Sequence, residues 1–195
     1  RRLDGIPLAV ELAAARARSI GLQDLLAHIR STSPLLAMPV PDHPRHRTLM
    51  TTIAWSYDLL SPGSRALFDR LSVFSGSWTV EAAHTVCADD VGVEDVLAGL
   101  ADLVDRSMIV AEHRQQETRY RMLSTLREFA ADLLAGSADT AERRTRHAHF
   151  YADLAGAAEP GLRTAEEATW VTRLNADFDN MRAAHLWAME NADVD

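Results

Sequence analysis

The chemistry open to this 195-residue chain is bounded by its nucleophiles, proton carriers and charges. All twenty basic residues are arginine, and there is no lysine. That excludes a Schiff-base or general-base lysine, and it excludes a phosphate loop of the G-x-x-x-x-G-K-S/T kind within these residues. Any nucleotide must therefore find its main cradle elsewhere. Cys87 is the one cysteine; near the apolar side of its helix, it reads as a small buried hydrophobe. His147 and His149 are two apart, which on a helix points them about 200° from each other, so they cannot share an ion. His43 and His46 have no carboxylate or thiol at ligand spacing. No metal site and no catalytic residue is expected, since no Ser-His-Asp or paired-carboxylate arrangement stands out.

Charge narrows the classes further. Twenty basic residues face 28 acidic ones, for a net charge of −8. The balance is 7 basic against 5 acidic over residues 1–60, 6 against 10 over 61–122, and 7 against 13 over 123–195. An acidic total argues against a general nucleic-acid or anionic-membrane surface. No apolar run reaches the roughly 18 residues that a membrane span needs. The single cysteine and the absence of a signal-peptide h-region point to the cytoplasm. From the start at Arg1 without a methionine, a fragment of something longer is expected.

These residues need elements to hold them. Leu8, Leu12 and Ala15 lie on one face from Pro7 to Arg18, which predicts a helix, and Leu22 to Ile29 form a second short stripe. Four prolines between Ser31 and Arg47 read as a linker or loop. Helix resumes at Thr48 through Leu60. Ser61-Pro62 is a helix start, a serine N-cap followed by a first-turn proline. Val73-Phe74 reads as a short extended piece, and Thr79 caps a helix to Cys87. Val93 to Val104 follow helical spacing. Met108–Glu112 and Arg119–Met122 flank a polar turn, which predicts a hairpin. Leu126 to Leu134 form one helix ended by Gly136-Ser137. Thr140–Glu159 forms a second, and two further helices carry Trp170 to Leu174 and Met181 to Trp187. The four tryptophans, about one per unit, are expected as core anchors. Three helices and a hairpin are the order of a winged helix, and its candidate recognition helix carries Glu94, Asp95, Asp102 and Asp105 with no arginine. The wing arginines Arg114, Arg119 and Arg121 are expected to be solvated. Arg143-Arg144-Arg146 are expected to pair with Glu142 or Asp139, or with an acidic partner.

Four stretches carry a family resemblance, in order. Gly5-Ile6-Pro7-Leu8 resembles the G-x-P motif of the STAND signal-transducing ATPases, which include the NB-ARC proteins and many bacterial transcriptional regulators. Ser56-Tyr57-Asp58-Leu59-Leu60 resembles the segment closing that family's small helical domain. Leu67 to Trp78 resembles the start of its winged helix, and Tyr120 to Ala130 the end of the wing and the helix beyond. The resemblance implies that Pro7, with Gly5 before it, packs against an adenine; a helix-initiating proline without ligand explains the same residues. The family's Met-His-Asp trio reads Met122-Leu123-Ser124 here, and leucine cannot donate the hydrogen bond that the histidine gives a phosphate.

The expected fold is therefore mainly α: a helical subdomain over 1–60, a winged helix with a small hairpin over 61–135, and the start of a TPR-like helical arm over 136–195. The expected role is the regulatory part of a STAND-type regulator, with hinges near Ser61-Pro62 and Gly136-Ser137. ATP or ADP would bind the full-length protein, an ATPase, and not this fragment. Its partners would be the upstream nucleotide-binding domain and an inducer met through the arm, with neither nucleic acid nor membrane touched directly. The alternatives are a winged-helix transcription factor that binds DNA and a helical scaffold for a protein partner. Calorimetry on the isolated chain is expected to show no submicromolar affinity for ATP or ADP.

Overall fold

The computed structural model describes position 14 and residues 44–89, 92–114 and 117–191. The helix expected at Pro7–Arg18, of which only Ala14 is described, and the second at Leu22–Ile29 otherwise lie outside those residues. The proline stretch up to His43 lies outside them too. Helix α1 runs Pro44–Asp58, starting four residues before the expected Thr48. Helices α2 (Pro62–Leu71), α3 (Val80–Cys87) and α4 (Val93–Asp105) follow. Strands β1 (Val110–His113) and β2 (Thr118–Arg121) pair antiparallel, with Val110 opposite Arg121. Helices α5 (Ser124–Ala135), α6 (Asp139–Gly161) and α7 (Glu167–Asn191) complete the chain.

Local chemistry sets the boundaries. Ser61 Oγ accepts from Ser64 N at 3.1 Å and Thr79 Oγ1 from Ala82 N at 3.2 Å, so each helix has one orphan amide satisfied at its start. The expected strand at Val73-Phe74 is instead a turn, closed by Val73 N to Arg70 O and Phe74 N to Leu71 O. The third strand position is Trp78, which bridges Tyr120 through Trp78 N to Tyr120 O at 2.9 Å and the return bond at 2.8 Å. Between α4 and β1, Ser107 takes the left-handed conformation at φ 57°. There Met108 N closes on Leu103 O at 2.9 Å, ending α4 in the way a glycine usually does.

One expected break is displaced and one is absent. Helix α6 runs through Pro160 and ends at Gly161, two residues past the expected Glu159. Helix α7 is one element of 25 residues where two were expected, because the polar run between Leu174 and Met181 holds no glycine or proline. Close packing seats α7 on α6: a Cβ at Gly161 would fall 2.0 Å from Trp170 Nε1.

One core joins all of this. Phe68, Leu71, Phe74, Trp78, Leu100, Leu103 and Leu126 are fully buried, and Ile53 of α1 and Tyr151 of α6 belong to the same cluster. Packing therefore crosses residue 60 and residue 135 without interruption. Trp55 and Trp78 are buried as expected of anchors, whereas Trp170 and Trp187 are half-buried. Phe74 stacks on Trp78 with centroids 5.0 Å apart, and its edge meets His147 at 5.3 Å. His147 in turn lies 4.8 Å from Tyr151.

Burial holds the His147 imidazole neutral, with its pKa pushed down to about 4. The folded state resists that proton, so the stability His147 gives above the ordinary histidine range is lost as the pH falls from about 6.5 to about 4. Asp69 acts in the opposite sense. Burial raises its carboxyl to about 6, so its ionisation costs stability as the pH climbs from about 4 to 6. Comparing His147→Phe with the parent cancels the Asp69 contribution. The variant is expected to lose less stability than the parent over that window, by on the order of 3 kcal/mol at its acid end, read from denaturant melts at several pH values.

Candidate functional site

In a three-helix-and-wing unit the surfaces that meet a partner are the outer face of the third helix and the hairpin. Here the third helix is α4. Val96, Leu100 and Leu103 turn inward, which fixes the opposite face as Glu94, Asp95, Leu97, Ala98, Ala101 and Asp105. Leu97 is 45% exposed. Asp102, at the margin, accepts from Ser64 Oγ at 2.8 Å and pairs with Arg106 one turn on. No cation projects from this face. Beside it a cleft of about 540 Å³ separates α4 from α2, lined in part by Ser61, Gly63, Ala66, Ala98 and Gly99. The helices come close because Gly99 has no side chain: a Cβ there would sit 2.7 Å from Leu67 Cδ2.

The wing departs from expectation at one arginine. Arg119 is 0% exposed and not solvated. Its guanidinium donates to Asp177 and to Ala176 O of α7, to Ser77 Oγ at 2.8 Å, to Ser77 O at 2.9 Å and to Glu117 at 2.9 Å. Burial opposes the charge, but the bonds to Asp177 and Glu117 outweigh it and hold the group above its ordinary pKa. The reason is register: Arg119 sits one residue from Tyr120, whose bridge to Trp78 brings Ser77 within reach. Arg121 pairs with Glu112 at 2.6 Å and Arg114 with Glu112 at 3.6 Å, both at the surface.

A second set of arginines meets the end of α3. Arg70 donates to Cys87 O at 2.9 Å, Arg143 to Val86 O at 3.2 Å and Ala88 O at 3.3 Å, and Arg146 to Ala88 O at 2.6 Å. These carbonyls are the orphan acceptors of a helix C-terminus, where positive charge is also favoured by the dipole. Arg143 is 1% exposed and also reaches Asp89, whose carboxyl it holds below the ordinary carboxylate range. Arg70 bridges Asp89 at 2.8 Å and Asp139 at 2.7 Å, which links α2 to the start of α6. The expected pairing of this cluster with Glu142 and Asp139 is present, and the carbonyls of α3 are the addition. Arg144 lies over the Trp187 ring at 5.2 Å.

Other expected sites fall as follows. Gly5 and Pro7, the expected adenine contact, lie outside the described residues. Met122 is buried, and Leu123 stands at the N-cap of α5 without a side-chain bond, as leucine must. Cys87 is buried and its thiol is pushed up to about 12, first by burial, which suits a core residue and not a nucleophile. His149 is exposed and His147 buried. Among the described residues no cluster of three potential metal ligands occurs, and no helix is long and apolar enough to cross a membrane. Contacts also brace both expected hinges. Tyr57 Oη donates to Asp69 at 2.8 Å across the first, and Arg70–Asp139 spans the second.

Residues 60–135 match the family model of the winged helix-turn-helix domain. Helices α2, α3 and α4 with the β1–β2 wing have that fold. The whole chain is 38% identical to a protein of Mycobacterium bovis and to one of Mycobacterium tuberculosis, each named "Putative HTH-type transcriptional regulator". It spans 22% of the length of those relatives. Over 75% of the chain, an "Uncharacterized protein" of Mycobacterium tuberculosis is also 38% identical, and 38% of its length is covered. No solved structure matches.

The partners missed from sequence are Asp177 and Asn180. Their spacing of three places both on one helical face beside Ala184, and all three are buried. Arg143→Ala, which strips Val86 O of its side-chain donor, leaves Ala88 O to Arg146 alone and opens a cavity, is expected to cost roughly 2–4 kcal/mol in a denaturant titration.

Proposed function

We propose that this chain is the switching segment of a nucleotide-coupled transcriptional regulator, and that its winged helix meets protein and not the DNA groove. The observation that carries the reading is the outer face of α4, where Glu94, Asp95 and Asp105 surround Leu97, Ala98 and Ala101 with no cation. Groove binding draws on lysine and arginine contacts to phosphate, and three outward carboxylates oppose it. The wing adds little, because Arg119 is committed to Asp177 and Arg121 to Glu112. An acidic rim around a small apolar centre suits a protein surface, such as a neighbouring domain of the longer protein.

Nucleotide coupling is supported by the G-x-P stretch at Gly5 and Pro7 and by the order of the segments after it. In this reading ATP or ADP binds the whole protein, and the present residues convert its state into position without catalysing anything. The bracing at both connections makes residues 44–161 turn together when that state changes. The helical arm begun by α6 and α7 is the natural receiver of an inducer.

Direct DNA binding is the second reading, and the name of the mycobacterial relatives favours it. Fluorescence anisotropy with random and genomic duplexes separates the two at several salt concentrations. The protein-contact reading expects dissociation constants weaker than about 10⁻⁶ M, the non-specific limit, and no gain from Asp105→Ala beyond a uniform electrostatic one. Nanomolar, sequence-dependent binding would establish the second reading instead.

A further inference from the structure

Helix α7 is attached to the winged helix in an unusual way. Its buried residues are Asp177, Asn180 and Ala184, while Val171, Phe178, Leu186 and Met189 are 41–66% exposed. Trp170, Met181 and Trp187 are partly buried against the apolar core, while α7 meets the wing and the loop before α3 through polar groups. Asp177 receives the Arg119 guanidinium. Asn180 is 0% exposed and reads the backbone of the neighbouring loop in both directions, accepting from Ser75 N at 2.8 Å and donating to Ser77 O at 2.9 Å. Ser77 O points to the side opposite the Trp78–Tyr120 bridge, because facing alternates from Trp78, and Ser75 N lies in the bend just before it. The Asn180 carboxamide thus covers the backbone that leads into the bridge.

Helix α6 is held differently, by Tyr151, Leu154 and Ala148 in the common core and by Arg143 against the end of α3. Breaking an apolar seam exposes oily surface to water. Breaking a polar one returns each group to water that solvates it nearly as well, so its net contribution is small. Regions held mainly by such contacts open at lower free energy than the global unit.

We propose that Asp177 and Asn180 form a latch that lets α7 leave the winged helix while residues 62–135 stay folded, baring Arg119 and the Ser75–Ser77 backbone. The purpose of such a latch rests on the switch reading above, but its existence does not. The DNA titration tests the former and hydrogen exchange the latter, so the two fail separately.

The experiment is native-state hydrogen exchange on the full 195-residue chain. Asp177→Ala is expected to speed exchange in 167–191 at least tenfold and to leave 62–135 unchanged. Asp177→Asn, which keeps an acceptor but loses the charge, should give a smaller change in the same segment. Replacing the pair by Arg119→Met with Asp177→Leu should slow exchange in 167–191 relative to Asp177→Ala. Equal loss of protection in 62–135 and 167–191, no change in 167–191, or wholesale unfolding of both single variants would each overturn the latch.

Discussion

A guanidinium cannot shed its charge at any pH a protein survives, so one that is buried must bring its counter-charge and acceptors with it. Arg119 is buried completely, and that requirement organises the second half of the molecule. It calls Asp177 from 58 residues away, fixes the face that α7 presents, and pins the hairpin to the loop before α3. The arm is thereby oriented by a charge on the wing as well as by Trp170, Met181 and Trp187, which pack against the core.

The same logic explains why an all-arginine chain with excess acid holds together. Arg70, Arg143 and Arg146 gather where α3 leaves carbonyls without donors, and Asp89 and Asp139 balance them. A planar fork with several donors can serve a carbonyl and a carboxylate at once, which an ammonium on a flexible stem does less well. With Arg70 and Arg119 spent inside and Arg114 and Arg121 paired with Glu112, the winged helix is left acidic at its surface, and that outcome underlies the functional reading.

Much of the fold was legible because it is local. Ser61-Pro62, Thr79 and the stripe of α4 announce themselves within a few residues, and so do the alternating hairpin strands. The errors share a cause as well. Val73-Phe74 has strand-like residues, yet its backbone is satisfied by turn bonds to Arg70 and Leu71, while the strand position passes to Trp78 through a partner 42 residues on. The polar run that seemed to divide α7 is its buried face, since Asp177 and Asn180 look hydrophilic until Arg119 and Ser77 are placed beside them. The acidity of α4 was readable in full, whereas the commitment of Arg119 was not, because burial at a distance leaves no mark on a wing of alternating charge.

The contact of Gly161 with Trp170 carries a consequence for leverage. It is the fulcrum of the helical hairpin, and α7 extends about 32 Å beyond it. Asp177 and Asn180 lie less than halfway along that beam. A wedge as small as one methyl group at the fulcrum would tilt the beam and carry the carboxylate out of range of its guanidinium. The smallest residue in the arm thus governs the alignment of its most polar contact, through distance alone.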